Sequence, residues 1–271
     1  MDNLDKEMEL LKTRMAKIRH KIAVISGKGG VGKSLVTVNL AMALAMKGRV
    51  GKIGIFDSDF HGPCVPKMLG LKGSRLQSGP PGMFPALGPL NIKVVSMAFL
   101  LPTLDSPVIW RGPLKMKAIR QFLSQIVWGD LDYLLIDLPP GTGDESLSVL
   151  QLLPEMDGVI IVTIPSEVSQ EVVKKAVTFS RKMGVPIIGI VENMGHLVCP
   201  KCGEQIGVFG VGGGKQVASD MEVPFLGSIP LDPRISTAMD SGTPFIATQP
   251  DSPAAKEFYS IVAKIEKFTT R

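Results

Sequence analysis

Seven short apolar runs punctuate this chain of 271 residues, at 22–26, 52–57, 92–97, 132–137, 158–163, 186–192 and 224–229. Nearly all are continuous rather than alternating, the pattern of strands covered on both faces. Between them lie segments with helical spacing, at 33–47, 114–127, 145–153, 168–183, 213–221, 232–240 and 253–267. A leading segment, 4–19, repeats Met8, Leu11, Met15 and Ile18 at steps of three and four and reads as a further helix. Strand and helix in alternation predict an α/β fold, a doubly wound and mostly parallel sheet flanked by helices. We read residues 1–20 as a helical extension and 21–271 as one domain. The Gly/Pro-rich stretch 78–90 reads as a loop inside that domain rather than a linker.

In such sheets ligands sit beyond the C-terminal ends of the strands, and the first strand ends in Gly27-Lys28-Gly29-Gly30-Val31-Gly32-Lys33-Ser34. A glycine loop between a strand and a helix lets backbone N–H groups converge on phosphate oxygens, and the helix N-terminus adds partial positive charge. Lys33 is placed to reach the β- and γ-phosphates and Ser34 to complete a Mg²⁺ shell. The chain is expected to bind a nucleoside triphosphate. Lys28 is additional to the ordinary pattern: it is either a solvated lysine or a cation extended across a dimer interface to a neighbour's triphosphate.

Two further strand tips carry acids. Tyr133-Leu134-Leu135-Ile136-Asp137 puts a carboxylate where it can hold Mg²⁺ or its water, and the Pro-Pro-Gly-Thr-Gly that follows suits a switch segment. After strand 52–57, Asp57 and Asp59 suit support of Mg²⁺ and orientation of the attacking water, with their separate roles open.

Cys199 and Cys202 enclose Pro200-Lys201 and are followed by Gly203. Two thiols at this spacing bind one side of a metal and form half of a four-thiolate site. The chain has no second such pair; its third cysteine, Cys64, reads as a small buried residue. Three readings stand: a metal shared across a symmetric dimer, a redox dithiol, or an incidental pair. Three cysteines in all argue against a disulfide scaffold and fit a reducing compartment.

Net charge of +5 raises the question of nucleic acid or anionic lipid. The basic residues are scattered except for Lys12, Arg14, Lys17, Arg19 and Lys21, read as the solvated face of the leading helix. With two Trp and two Tyr, and no run approaching ~20 apolar residues, neither a nucleic-acid platform nor a membrane span is expected. No targeting segment stands out, and the expected compartment is the cytoplasm.

The glycine loop with its early lysine resembles the deviant Walker A of MinD, ParA and the nitrogenase iron protein. More narrowly, that loop with Asp57-Ser58-Asp59-Phe60-His61-Gly62-Pro63, Trp110-Arg111-Gly112-Pro113, Asp137-Leu138-Pro139-Pro140-Gly141-Thr142-Gly143-Asp144, Glu192-Asn193-Met194 and Cys199-Pro200-Lys201-Cys202-Gly203 resembles the Mrp/ApbC family of iron–sulfur cluster carrier ATPases. The resemblance runs from about residue 20 to the C-terminus. It implies a MinD-like P-loop NTPase fold that hydrolyses ATP with Mg²⁺, and an ATP-sandwich homodimer in which Lys28 acts in trans. It also implies Asn193 at the adenine, and the loop 229–233, with Pro230 and Asp232, closing over the base. The cysteine pairs of two subunits are then expected to share a labile [4Fe–4S] cluster, received from scaffold or donor proteins and passed to apo iron–sulfur proteins. Two departures stand out: the family often has serine at the position of Cys64, and only a short helix precedes the glycine loop. A MinD/ParA-type organising switch, or a nucleotide-gated scaffold with structural zinc, are the alternatives. The C-terminal stripe Phe258, Ile261, Val262, Ile265 and Phe268 is read as core packing rather than a membrane helix.

Overall fold

A computed structural model describes residues 3–100, 112–199 and 201–270. In chain order it contains α1 (Asn3–Met15), β1 (Ile18–Ser26), α2 (Lys33–Met46), β2 (Ile53–Asp57), α3 (Val65–Met68), β3 (Gln77–Gly79), β4 (Gly82–Phe84), β5 (Ala86–Leu87), β6 (Lys93–Ser96) and α4 (Gly112–Gln125). These are followed by β7 (Leu131–Asp137), α5 (Asp144–Leu152), β8 (Gly158–Thr163), α6 (Glu167–Lys182), β9 (Ile187–Glu192), β10 (Leu197–Val198), β11 (Gln205–Ile206), α7 (Gly213–Asp220), β12 (Phe225–Ser228), α8 (Pro233–Asp240), α9 (Phe245–Thr248) and α10 (Pro253–Thr269).

The main sheet has eight strands in the order β12-β9-β8-β1-β7-β2-β6-β5. Seven are parallel and correspond to the seven apolar runs; β5 alone is antiparallel, on β6. Alternation along each strand feeds two cores. Ile22, Val24, Ile53 and Ile55 pack on the face covered by α2, α8, α9 and α10. Ala23, Ile25, Phe56 and Ile136 pack on the face covered by α1, α4, α5, α6 and α7. The apolar stripe of α10 (Phe258, Ile261, Val262 and Ile265) is wholly buried in the first core, as the spacing predicts. No helix among the described residues is long and apolar enough to cross a membrane.

The structure departs from the sequence reading in three places. The leading helix stops at Met15, and Ile18 opens β1 opposite Leu131. Helical spacing through Ile18 is accidental, because a buried strand also places an apolar residue there. Lys21 of the basic cluster is therefore buried on β1, its Nζ donating to the Ile18 carbonyl at 3.3 Å. The stretch 78–90 is not plain loop: Gln77–Gly79 and Gly82–Phe84 pair as a hairpin, and Ala86–Leu87 adds the sheet's edge. Trp110 and Arg111 of the family-like motif, and Pro200 of the cysteine motif, lie outside the described residues.

Candidate functional site

Parallel pairing brings the C-terminal tips of β1, β2 and β7 together, and the glycine loop leaves β1 there. Gly32 closes that loop with φ +80°, a left-handed conformation that an L side chain resists. A Cβ at this position would also lie 2.2 Å from Asn193 Nδ2. Lys33 and Ser34 start α2 directly behind it.

Asp57 and Asp137 are opposite each other on β2 and β7 and are both 0% exposed. Lys33 Nζ lies 2.7 Å from Asp137 Oδ1. Asp137 Oδ2 accepts from Ser34 Oγ at 2.5 Å and Oδ1 from Thr37 Oγ1 at 2.8 Å. Asp57 Oδ2 accepts from Ser96 Oγ at 2.9 Å. Burial first, and then the charge of Asp137, push the Asp57 carboxyl up to about 8 against the opposing pull of Lys33, Ser96 and the Asp59 amide. A divalent cation would supply the positive charge that lets Asp57 ionise beside Asp137, which Lys33 alone does not provide. The donor set of Ser34, Asp57 and Asp137 therefore fits Mg²⁺, directly or through water.

Asp59 is half-buried, and its Oδ1 accepts from the amides of His61 and Gly62 at 2.9 and 3.0 Å, holding the turn after β2. The segment after β2 and the switch-like segment after β7 meet where His61 Nε2 lies 3.3 Å from Glu145 Oε1. The second of them is tied to β1 by Gly141 N–H donating to Ser26 O at 2.9 Å. Cys64 lies at the surface, not in the core as its type suggested, and its Sγ donates to Gly62 O at 3.0 Å. Desolvation by the surrounding loop, then Asp57, Asp137 and Asp59, push its thiol up and disfavour the reactive thiolate.

Lys28 is half-buried at the start of the loop. Its carbonyl accepts from Ser26 Oγ at 3.0 Å. Asn193, just beyond β9, donates from Nδ2 to Val31 O at 2.9 Å, so its side chain braces the phosphate loop. Pro230 is buried beyond β12, whereas Asp232 caps α8 and pairs with Arg234 at 2.6 Å. The Arg234 hydrogen bond, against the opposing effect of partial burial, holds the Asp232 carboxyl below the usual carboxylate range.

Sequence reasoning missed Thr37 and Ser96. Thr37 had a signal, since four residues past Lys33 is one helical turn and shares its face. Ser96 had none, because only the sheet order sets β6 beside Asp57.

Leu197–Val198 and Gln205–Ile206 pair antiparallel and set the cysteines at the hairpin's tip. Cys199 N–H donates to Glu204 O and Gly203 N–H to Cys199 O, each at 2.9 Å. The Cys202 amide, then the Lys201 amide and the Cys202 thiol, point at the Cys199 sulfur and hold its pKa below the ordinary thiol value, favouring the thiolate. A sulfur held ready as thiolate is what metal ligation needs. Among the described residues no three His, Cys, Asp or Glu side chains gather as a metal site. The hairpin follows β9, so it stands at the same end of the sheet as the phosphate loop. Around it Val168, Val198, Ile206, Val208, Phe209 and Val211 are exposed, Val211 by 82%.

A glycine cradle at the first strand tip, a buried lysine and carboxylate behind it, and a doubly wound parallel sheet define a P-loop NTPase. Residues 17–266 match the family model described as ParA, NUBPL iron-transfer P-loop NTPase, and the chain belongs to that family. It is 55% identical over 257 residues to the iron-sulfur cluster carrier protein of Saccharolobus solfataricus, covering 95% of this chain and 86% of that protein. It is 51% identical over 255 residues to the iron-sulfur cluster carrier protein of Methanocaldococcus jannaschii, covering 94% and 87%. Among solved structures, a nucleotide-binding protein of Archaeoglobus fulgidus in complex with ADP, in which cobalt was found, aligns with a TM-score of 0.79 and 40% identity over 93% of this chain and 96% of that one. The cell division ATPase MinD of Pyrococcus furiosus, 24% identical, aligns with a TM-score of 0.62 over 92% and 98% and shares the fold.

Proposed function

We propose that this protein is an ATP-hydrolysing carrier that holds a labile [4Fe–4S] cluster between two copies of itself and passes it to apo iron–sulfur proteins. One observation carries the reading: a pair of thiols, Cys202 exposed and Cys199 half-buried and biased toward thiolate, stands at the nucleotide end of the sheet with no third ligand among the described residues. Two such pairs on a twofold axis make the four-thiolate set that a cubane cluster accepts. The relatives named as cluster carriers, and the iron-transfer description of the family, support iron over zinc as the cargo. The apolar rim from Val168 to Val211 supports a second copy as what covers the hairpin, because a contact between two protein surfaces removes that area from water.

In this reading residues 21–271 act as one unit, preceded by the extension 1–20, which holds α1 and the first residues of β1. The glycine loop, from Gly27 to Gly32, and Lys33 hold the phosphates. Ser34, Asp57 and Asp137 hold Mg²⁺, which when bound draws off charge developing on the phosphoryl oxygens. Asp59 orients water, and Lys28 reaches the partner's triphosphate. Asn193 gives its Nδ2 to Val31 and offers Oδ1 to the base, with Pro230 and Asp232 on the loop over it. A cluster bound at an exposed interface is open to acceptor thiols, which suits transfer rather than storage.

The test is anaerobic reconstitution with ferrous iron and sulfide, followed by metal analysis and sedimentation. Four iron and four sulfide per dimer, with a dimeric mass, is the expected result. Zinc in place of iron and sulfide, or a monomer carrying the cluster, overturns the reading.

A further inference from the structure

Glu192 has a buried carboxylate that the nucleotide chemistry does not use. It ends β9 and is 2% exposed. Its Oε2 accepts from the Gly214 N–H at 2.7 Å and its Oε1 from Ser228 Oγ at 2.8 Å. Its backbone carbonyl accepts from Ile229 N–H at 2.8 Å. One side chain therefore ties three segments: the tip of β9, the first turn of α7, and the tip of β12.

What lies between two of those ties matters. From Glu192 to Gly214 the chain leaves the sheet, builds the cysteine hairpin and returns, so the carboxylate closes that excursion at its base. The closure is sterically tight. A Cβ at Gly214 would lie 3.0 Å from Glu192 Cβ and 3.1 Å from Thr163 Cγ2, and one at Gly213 would lie 2.2 Å from Pro165 O. Only a chain without side chains there lets the start of α7 sit on the strand tips. The helix N-terminus in turn suits a carboxylate, with N–H groups and partial positive charge facing it.

The neighbouring residue supplies the other half. Asn193 holds Val31 of the phosphate loop through Nδ2, and its own N–H donates to Thr163 O at 2.7 Å. Two consecutive residues thus grip the phosphate loop on one side and the root of the cysteine excursion on the other. A shift of Val31 on filling the loop is delivered through a short, hydrogen-bonded strand tip rather than lost in a flexible connection.

We propose that Glu192 is a positioning residue that couples the nucleotide site to the cysteine hairpin, so that nucleotide binding alters how Cys199 and Cys202 are presented. This rests on the carrier reading for its purpose but can be tested without a cluster. In a Cys64→Ser background, the rate of iodoacetamide modification of Cys199 and Cys202, read by intact mass, is measured with and without Mg-ATP. The parent is expected to show at least about a threefold change in rate. Glu192→Ala removes the acceptor of both the Gly214 N–H and the Ser228 hydroxyl and should bring the ratio to about one, with ATP affinity within about twofold of the parent. Gly214→Ala, which pushes α7 off the carboxylate, should do the same by a different route, with circular dichroism confirming that both variants fold. Ser228→Ala keeps the Gly214 bond and should retain most of the ratio. A parent insensitive to nucleotide, or the parental ratio in both Glu192→Ala and Gly214→Ala, overturns the proposal. Failure to load iron overturns the carrier reading and leaves the alkylation ratio readable, so the two failures are distinct.

Discussion

The two chemical ends of this molecule are built on opposite principles. At the phosphate loop, Asp57 and Asp137 are wholly buried, and each polar contact is made by a residue fixed in a strand or a helix. At the cysteine hairpin the strands are two residues long and the thiols stand beside solvent-exposed apolar side chains. The first arrangement pre-organises charge where phosphoryl transfer needs it and excludes water. In the proposed reading, the second leaves a metal site half-made and open, which favours exchange. A carrier needs both, joined by something stiff enough to transmit a change, and Glu192 with Asn193 occupies that position.

The comparison is broken most completely by removing one end and asking whether the other survives. Cys199→Ala with Cys202→Ala should eliminate the reconstituted cluster, seen as loss of its visible absorbance, while ATP affinity stays within about twofold. Retained absorbance would mean that the ligands lie elsewhere. The converse is Asp137→Asn, which removes the charge facing Lys33, Ser34 and Thr37. It should lower kcat for ATP hydrolysis by about 10²–10³ with the cysteines still able to take up iron. Steady-state phosphate release checks the first part and metal analysis the second.

A smaller effect tests whether the apolar rim belongs to the proposed dimer. Phe209→Asp with Val211→Asp places charge on two exposed residues that contribute little to the fold of one chain. Dimer association, followed by ultracentrifugation, should weaken at least about tenfold, or about 1.4 kcal/mol, while thermal unfolding changes little. An unchanged dimer would place the interface on another face.

The smallest effect lies away from both ends. Glu266 on α10 pairs with Lys47 and with Arg49, whose Nη2 is 2.6 Å away, and so pins the last helix to the chain following α2. Burial alone would raise this carboxyl, but Lys47 and Arg49 outweigh it and hold it below its ordinary 4.5. A depressed folded value stabilises the native state above pH 4.5, and that contribution is lost as pH falls through the lower folded value. Glu266→Gln should therefore cost about 0.5–1 kcal/mol at neutral pH. The gap from the parent should close in urea titrations below pH 4.5.

Much of the frame was legible beforehand. All seven parallel strands were foreseen because each is a continuous apolar run, and burial on both faces leaves such runs little alternative. The phosphate loop was legible because its chemistry is local: backbone N–H groups of the glycine loop and the side chains of Lys33 and Ser34 all lie within eight consecutive residues. The edge strand Ala86–Leu87 was hidden because two residues have no periodicity and take their conformation from β6. Ile18 misled because one apolar residue satisfies the spacing of a helix and of a buried strand equally well. Cys64 misled because cysteine is commonly buried, while this one follows a polar turn held by Asp59.

By itself, then, the sequence determined the strand and helix succession, the phosphate-binding loop and the presence of paired thiols, since each is written in residues adjacent along the chain or spaced by one helical turn. Only the tertiary structure decided that Asp57 faces Asp137, that Ser96 and Thr37 serve those carboxylates, that Asn193 holds Val31, and that Glu192 closes the base of the cysteine excursion. Those contacts join residues 22 to 162 positions apart along the chain. Packing at the strand tips, rather than any local preference, supplies the distances on which such chemistry depends.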